Sequence, residues 1–385
     1  MTRIAYIGTY VPQKCGIATY THHLRQSISQ AKGWKGKDPV FAIKPGGSLI
    51  AYNDPDVYEV PKDKRAAYKK LAERLNGSDI GVVSLQHEFG IFGGEAGSYV
   101  LDLVENLDKP LAVTFHTVFE KPEEPYFSIQ ERIARRSDLI LVMNRKAKEY
   151  LNRSFGIPLG KIQYVPHGTP SPLPGRREAY RKAMGWDGHK ILMTFGLLGR
   201  GKGLETIIKS LPDVVREVPE TLYTIVGQTH PEVRKAEGES YREELKTLVR
   251  DLGLENNVAM IDRYVEEDEL AGLLSACDLY VTPYPGLQQI TSGTLAYAVG
   301  LGRPVLSTPY AYAKDLLSDY PELLIQPGDI PSWSEGMRRI LADEDNLRQT
   351  ERCMAALGAP MNWPSVGRLH LDMFSSLAAP LLRAN

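Results

Sequence analysis

Cysteine is nearly missing from this chain: Cys15, Cys277 and Cys353 are the whole complement, odd in number and far apart in 385 residues. They suggest neither a disulfide framework nor a zinc-ligand pattern, which fits a reducing, cytoplasmic setting. Net charge is missing too. A formal balance of -1 offers no basic face for nucleic acid or for an acidic membrane surface. No apolar run approaches the roughly 20 residues of a membrane-spanning helix, although a peripheral contact through a surface helix stays open. The chain runs from Arg3 straight into a short apolar strand and then Pro12, too short for a secretory leader. The glycine-rich loops match neither GxGxxG nor P-loop spacing, so nucleotide hydrolysis is not implied. Nothing in these totals speaks to the oligomeric state.

What is present is a soluble globular composition, 43% hydrophobic and 24% charged, long enough for two domains because one core seldom grows past about 250–300 residues. The stretch from Leu279 to Ser307 organises the reading. Leu279, Tyr280 and Val281 form a β-prone run stopped by Pro283 and Pro285. Thr291, Ser292 and Gly293 then open an apolar helix, with Thr291 or Ser292 as N-cap. Gly302-Arg303-Pro304 closes it, and Val305-Leu306 starts the next strand. A loop between a parallel strand and a helix N-terminus suits an anion.

The first half alternates strands and helices. Ile4–Gly8 reads as a strand, followed by a loop that holds Gly16 and a helix over 19–30; residues 31–60 read as short strands and loops. Helix 64–76 precedes strand 80–85, the loop QHEFGIFGG over 86–94 and a helix over 95–106. Strand 111–115 delivers His116 and Thr117; strand 139–143 and a helix from Arg145 follow, then strand 162–165. Gly16, His87, Glu88 and His116 all fall at carboxyl ends of such strands, the ligand side of a doubly wound sheet. The alternative for His116 is a histidine satisfied by a backbone carbonyl, and for Glu88 a cap on the next helix.

Four prolines in residues 166–174 mark a linker, which predicts domains over 1–167, with a C-terminal helix 363–385 returning to it, and 168–362. In the second half, strand 191–195 runs into GLLGRGKG over 196–203 and a helix over 204–217. Gly199 and Gly201 with Arg200 and Lys202 form a candidate phosphate grip of backbone donors and cations; the alternative is a solvated turn. Strand 221–226 ends at Gly227, helix 241–252 follows, strand 258–261 leads to Arg263, Tyr264 and Val265, and helices cover 267–276, 331–341 and 363–382. The expected fold class is α/β, two Rossmann-like doubly wound domains facing across a cleft.

This order of elements, with the linker, the Gly-x-Gly-Lys-Gly loop and the stretch from Asp278 through Gly302-Arg-Pro-Val305, resembles the GT-B glycosyltransferases of family 4 over essentially the whole chain. The resemblance implies an acceptor-side first domain and a donor-binding second domain. Gly16 matches the glycine near the donor diphosphate or acceptor, His116 the histidine facing the transferred sugar, and Lys202 the lysine that neutralises the leaving diphosphate. Gly227, Arg263, Tyr264 and Val265 fall on the nucleotide side, and His87 and Glu88 on the acceptor side. Three positions depart. The arginine expected five residues before the lysine is Leu197, with Arg200 as a substitute from the loop. The paired glutamates of the family fall on Gln289, the sugar contact, and Tyr297, the ribose contact. A glutamine still hydrogen-bonds a sugar hydroxyl; a tyrosine does not copy a carboxylate's grip on a diol.

The implied activity is transfer of a hexosyl group from a nucleotide diphosphate sugar, such as a GDP- or UDP-hexose, to an acceptor hydroxyl with retention. Arg200, Lys202 and the Thr291–Ser292–Gly293 backbone would stabilise the leaving phosphate, and His116 and Gln289 would hold the sugar. No metal ligands and no cofactor beyond that substrate are expected. Two other readings follow from the missing glutamates: a phosphorylase-like enzyme using sugar 1-phosphate, and a non-catalytic sugar-nucleotide binding protein.

Overall fold

Short runs of β-branched and aromatic residues, buried on both faces, pair in parallel when helices cover them. The computed structural model of the protein, which describes residues 2–34 and 38–382, contains two such sheets. The ends of two expectations, the loop at 35–37 and the last helix beyond 382, lie outside the described residues. The chain separates into two compact units, Met1–Gly168 with Trp363–Asn385, and Thr169–Asn362.

In the first unit the strands are β1 (Ile4–Gly8), β2 (Val40–Lys44), β3 (Val57–Pro61), β4 (Val82–His87), β5 (Leu111–Phe115), β6 (Leu139–Val142) and β7 (Ile162–Tyr164). They form one sheet in the order β3-β2-β1-β4-β5-β6-β7. In the second unit β8 (Lys190–Phe195), β9 (Thr221–Val226), β10 (Val258–Ile261), β11 (Leu279–Thr282) and β12 (Val305–Ser307) are ordered β10-β9-β8-β11-β12. Every pairing between these strands is parallel. The direction of winding therefore reverses between β1 and β4 in one unit and between β8 and β11 in the other. A crevice opens beyond the strand ends at such a reversal. The loops after β8 and β11, GLLGRGKG and the one holding Tyr284 and Ser292, are the pair at the second reversal.

The organising stretch folds as its residues dictate: β11, a proline-bounded loop, helix Gly293–Gly300 capped by Ser292, whose Oγ accepts from the Leu295 amide at 3.4 Å, and β12. At its start, buried Asp278 accepts from the Ile191 amide at 2.7 Å and pairs with Arg177 and Arg181, tying β11 to β8. In the first unit, helix Gly16–Lys32 packs along helix Trp363–Leu382.

Three of the expected elements in the first unit have different bounds. The first helix begins at Gly16, not at residue 19, because Cys15 caps it with Sγ 3.4 Å from the Ala18 amide. Strand β4 continues through Gln86 and His87, which pair with Thr114 and Phe115 of β5. The helix expected over 95–106 is reduced to Val100–Val104. Gly94 and Gly97 both stand at φ 81, and a Cβ on Gly93 would lie 2.1 Å from the Lys62 carbonyl oxygen, so residues 93–97 make a tight turn before the helix starts.

Candidate functional site

The loop GLLGRGKG leaves β8 over the start of helix Leu204–Glu217. Gly203 makes this possible: its φ is +61, and a Cβ there would meet the Pro283 carbonyl oxygen at 2.4 Å. The two loops at the reversal thus touch backbone to backbone. Gly203→Ala is expected to cost about 2 kcal/mol, read as a melting point several degrees lower by calorimetry; an unchanged melting point would mean the two loops part without cost.

Lys202 is half-buried, and its ammonium donates to the Tyr284 hydroxyl at 3.0 Å while lying 4.3 Å from the centre of the Tyr284 ring. Tyr284 in turn hydrogen-bonds Thr294 Oγ1 at 3.0 Å, and Thr294 Oγ1 lies 3.1 Å from Ser292 Oγ. A cation is therefore joined by hydroxyls to the N-terminal turn of helix Gly293–Gly300, where the first amides lack intrahelical acceptors. Gly196, at φ +130, leaves room for the lysine: its Cβ position is 3.5 Å from Lys202 Nζ. Gly201 faces open space, whereas a Cβ on Gly199 would meet Val233 at 3.4 Å.

Arg200 does not join this group. Its guanidinium is exposed and donates to Glu244 at 2.6 and 2.7 Å and to Glu237 at 3.1 Å. The guanidinium expected to meet phosphate is thus paired with two surface acids in this structure. Gln289 is exposed; its Nε2 donates to the Thr291 carbonyl at 2.7 Å. Thr291 Oγ1 is buried without a hydrogen-bond partner among the described residues.

Among the residues expected on the nucleotide side, Gly227 is glycine for a backbone reason. It stands at φ +136, and a Cβ would be 2.1 Å from the Gly196 carbonyl oxygen. Arg263 is paired with Glu269, Nη1 to Oε2 at 2.8 Å, and Val265 packs on the second unit's core. Tyr297 carries the informative contact: its hydroxyl donates to Glu267 Oε1 at 2.6 Å. Glu267 opens helix Glu267–Ala276 beyond the end of β10. A carboxylate thus stands beside the position from which the sequence pattern had removed one.

In the first unit His116 is buried. Gln86 donates through Nε2 to Ser84 and Thr114 hydroxyls, so its Oε1 accepts from His116 Nε2 at 3.0 Å. That fixes the proton on Nε2 and leaves Nδ1 as an acceptor. Burial, then His167 and His87, push its pKa down to about 3. Tyr20 presents its ring edge-on to His116, His167 and Trp363 at 5.0, 5.4 and 5.2 Å. Gly16 has open space at its Cβ position.

His87 is not available to an acceptor. It is 0% exposed, enclosed by Phe89, Phe92 and Phe115, and neither ring nitrogen is hydrogen-bonded among the described residues. Burial drives its pKa down to about 3. The extra strand residues carry it into the sheet beside Phe115, where the sequence reading had expected a loop from Gln86 onward. Glu88 is a cap: Oε1 accepts from the Phe89 amide at 3.0 Å and Oε2 from the Thr117 hydroxyl at 2.6 Å. Burial raises its pKa against both hydrogen bonds. The sequence reading missed Tyr284, Thr294, Glu267 and Gln86. Only Tyr284, between two prolines of the organising loop, carried a local signal.

No group of three or more His, Cys, Asp or Glu side chains is placed to hold a metal ion among the described residues. Nor is any described helix long and apolar enough to cross a membrane.

Comparison with known proteins covers both units. The family model "Glycosyltransferase Family 4" matches residues 16–171, and "Glycosyl transferases group 1" matches residues 176–353. A GDP-mannose:glycolipid 4-beta-D-mannosyltransferase of Xanthomonas campestris is 30% identical over 184 residues, 46% of each chain. A GDP-mannose-dependent alpha-(1-6)-phosphatidylinositol monomannoside mannosyltransferase of Mycolicibacterium smegmatis is 26% identical over 156 residues, 40% of this chain and 38% of that one. The chain therefore matches less than half the length of these relatives. Likeness of fold extends further. Anabaena HepE, solved with UDP and glucose, superimposes with a TM-score of 0.75 at 14% identity, covering 97% of this chain and all of that one. Sucrose-phosphate synthase of Thermosynechococcus elongatus gives 0.76 at 18% identity, covering 99% of this chain and all of that one.

Proposed function

Because the chain belongs to the GT-B glycosyltransferases of the family 4 type, we propose that it transfers a mannosyl or closely related hexosyl group from a guanosine diphosphate sugar to an acceptor hydroxyl. The donor choice rests on the GDP-mannose dependence named for the two mannosyltransferases. Breaking the bond between the anomeric carbon and the diphosphate leaves charge on a phosphate oxygen. The observation that carries the reading is the meeting of Lys202 with the capped N-terminus of helix Gly293–Gly300 through Tyr284 and Thr294. An ammonium and oriented amides fixed before reaction stabilise that charge without reorganising, and such stabilisation usually contributes most to catalysis of this kind.

Further roles belong to the proposal, each within one unit. In the first, His116, neutral with its proton on Nε2, offers Nδ1 as hydrogen-bond acceptor to a substrate hydroxyl. In the second, Gln289 offers its amide oxygen as acceptor. Glu267, held by Tyr297, takes the ribose diol, the task a carboxylate performs with two acceptor oxygens. Retention of the anomeric configuration is part of the proposal. The two mannosyltransferases carry a β and an α linkage in their names, so the product's one-bond C1–H1 coupling by NMR, set beside that of the donor, decides it.

Melting shifts with GDP, UDP, ADP and inorganic phosphate separate the readings, because a ligand of the native state raises apparent stability. GDP alone is expected to raise the melting point, and Glu267→Gln to weaken GDP about tenfold while leaving phosphate unaffected. A shift with phosphate and sugar 1-phosphate but with no nucleotide would replace this reading by phosphorolysis. A GDP shift without turnover of GDP-mannose over a panel of hydroxyl acceptors would leave a binding protein.

A further inference from the structure

We propose that Tyr284 is the positioning residue of Lys202: its hydroxyl and ring together fix the ammonium that meets the leaving phosphate. This rests on the reading of Lys202 given above. A lysine side chain has four rotatable bonds and a strongly hydrated head. Left alone in a glycine loop, it would sample many positions, and the charge would not be preorganised. Tyr284 removes that freedom in two ways. The ring face lies 4.3 Å from Nζ and the hydroxyl oxygen 3.0 Å from it, so the ammonium is held by one cation–π contact and one hydrogen bond.

The tyrosine is itself immobile. It is 2% exposed and stacks on Tyr310 at 5.4 Å. Its carbonyl accepts from the Thr308 hydroxyl at 2.7 Å. An ammonium only donates, so the Tyr284 oxygen accepts from Lys202, and the same hydroxyl shares a hydrogen bond with Thr294 Oγ1 at 3.0 Å. Thr294 then has Ser292 Oγ as neighbour at 3.1 Å, and Ser292 Oγ accepts from the Leu295 amide. The relay couples the lysine's position to the cap of the helix whose amides share its task. Pro283 and Pro285 stiffen the backbone on either side of the tyrosine. The close approach of Gly203 to Pro283 locks the lysine's loop to the tyrosine's.

A double-mutant cycle tests this, with GDP affinity by calorimetry and GDP release from GDP-mannose as readouts. Tyr284→Phe keeps the ring and its packing and removes the hydroxyl. It is expected to lower kcat five- to tenfold, with KM for GDP-mannose changed less than twofold, because the ammonium is needed most when charge has developed. In a Lys202→Ala background the same change should cost less than twofold, since there is no ammonium left to position. Thr294→Val breaks the relay one link further on and is expected to show a smaller loss with the same dependence on Lys202. Equal losses from Tyr284→Phe with and without Lys202 would reduce the tyrosine to a packing role and overturn the inference. A large effect of Lys202→Ala with an inert Tyr284→Phe would overturn it while leaving the role of Lys202 in place. An inert Lys202→Ala would bring down both.

Discussion

Replacing Lys202 by alanine is expected to lower turnover of GDP-mannose, the proposed donor, about 100-fold and to move the melting point by less than about 2 °C. The size follows from where the charge sits. A hundredfold loss is about 2.7 kcal/mol of transition-state stabilisation, a reasonable share for one cation at a developing phosphate charge in a partly water-excluded site. Arg200 does not make up the loss, because Glu237 and Glu244 already hold its guanidinium. The small thermal effect follows from the lysine's contacts, the hydroxyl and one ring face of Tyr284, whose own packing the substitution leaves in place. Lys202→Arg is expected to recover less than tenfold of the loss. The planar fork does not fit the single point between the Tyr284 hydroxyl and the backbone of Gly196 that an ammonium fills. Initial rates of GDP release, alongside calorimetric melts, check both variants. Wild-type turnover in Lys202→Ala would remove the lysine from the chemistry, and the proposal for the phosphate grip with it.

The framework of the fold was legible because burial on both faces leaves a plain mark. Residues 4–8, 111–115 and 221–226 are apolar runs bounded by glycine, proline or charge, and the strands occupy those same residues. Helices 204–217 and 267–276 are likewise where the periodicity put them. Helix Tyr126–Arg136 gave no such mark, because prolines and glutamates crowd its start and only Ile129, Gln130, Ile133 and Ala134 are buried. At the site, residue type was legible and residue partnership was not. A lysine in a glycine loop announces itself, but nothing local says that Arg200 faces Glu244, 44 positions along the chain, or that Tyr297 reaches Glu267, 30 positions back. Those pairings are made by the sheet, which brings the ends of β8 through β11 together. Position on the strand mattered as much for His87. Two further residues of β4 turned a loop histidine into an enclosed one.

Acidification should unfold the protein in a range where ordinary carboxylates stay ionised. His87, His116 and His370 are buried and neutral, with pKa values pushed down to about 3, about 3 and about 4, in each case chiefly by burial. In the unfolded chain each titrates near 6.5. The folded values lie below the unfolded ones, so the stabilising contribution is full above about pH 6.5 and is lost as pH falls toward 4 and 3. In that window the unfolded chain takes up protons that the native state refuses. Each histidine then contributes a slope of about 1.4 kcal/mol per pH unit. Together they remove on the order of 5 kcal/mol between pH 7 and pH 5, comparable with the whole stability of many domains. Glu88 works against them: its raised pKa makes the native state bind a proton more readily than the unfolded chain just above the ordinary carboxylate range, which offsets part of one histidine's slope. His87 isolates the effect, because it lies outside the proposed chemistry and leaves two ring nitrogens buried without partners among the described residues. His87→Leu and His87→Phe should both flatten the fall in melting point between pH 7 and pH 5 by about a third, and an apolar side chain there should hold or raise stability at pH 7. Calorimetric melts at pH 5, 6 and 7 read the slope, and histidine NMR signals show whether the ring stays neutral at pH 5. A wild-type melting point flat across that range, or an unchanged slope in both variants, would mean that His87 is protonated or solvated in the folded chain.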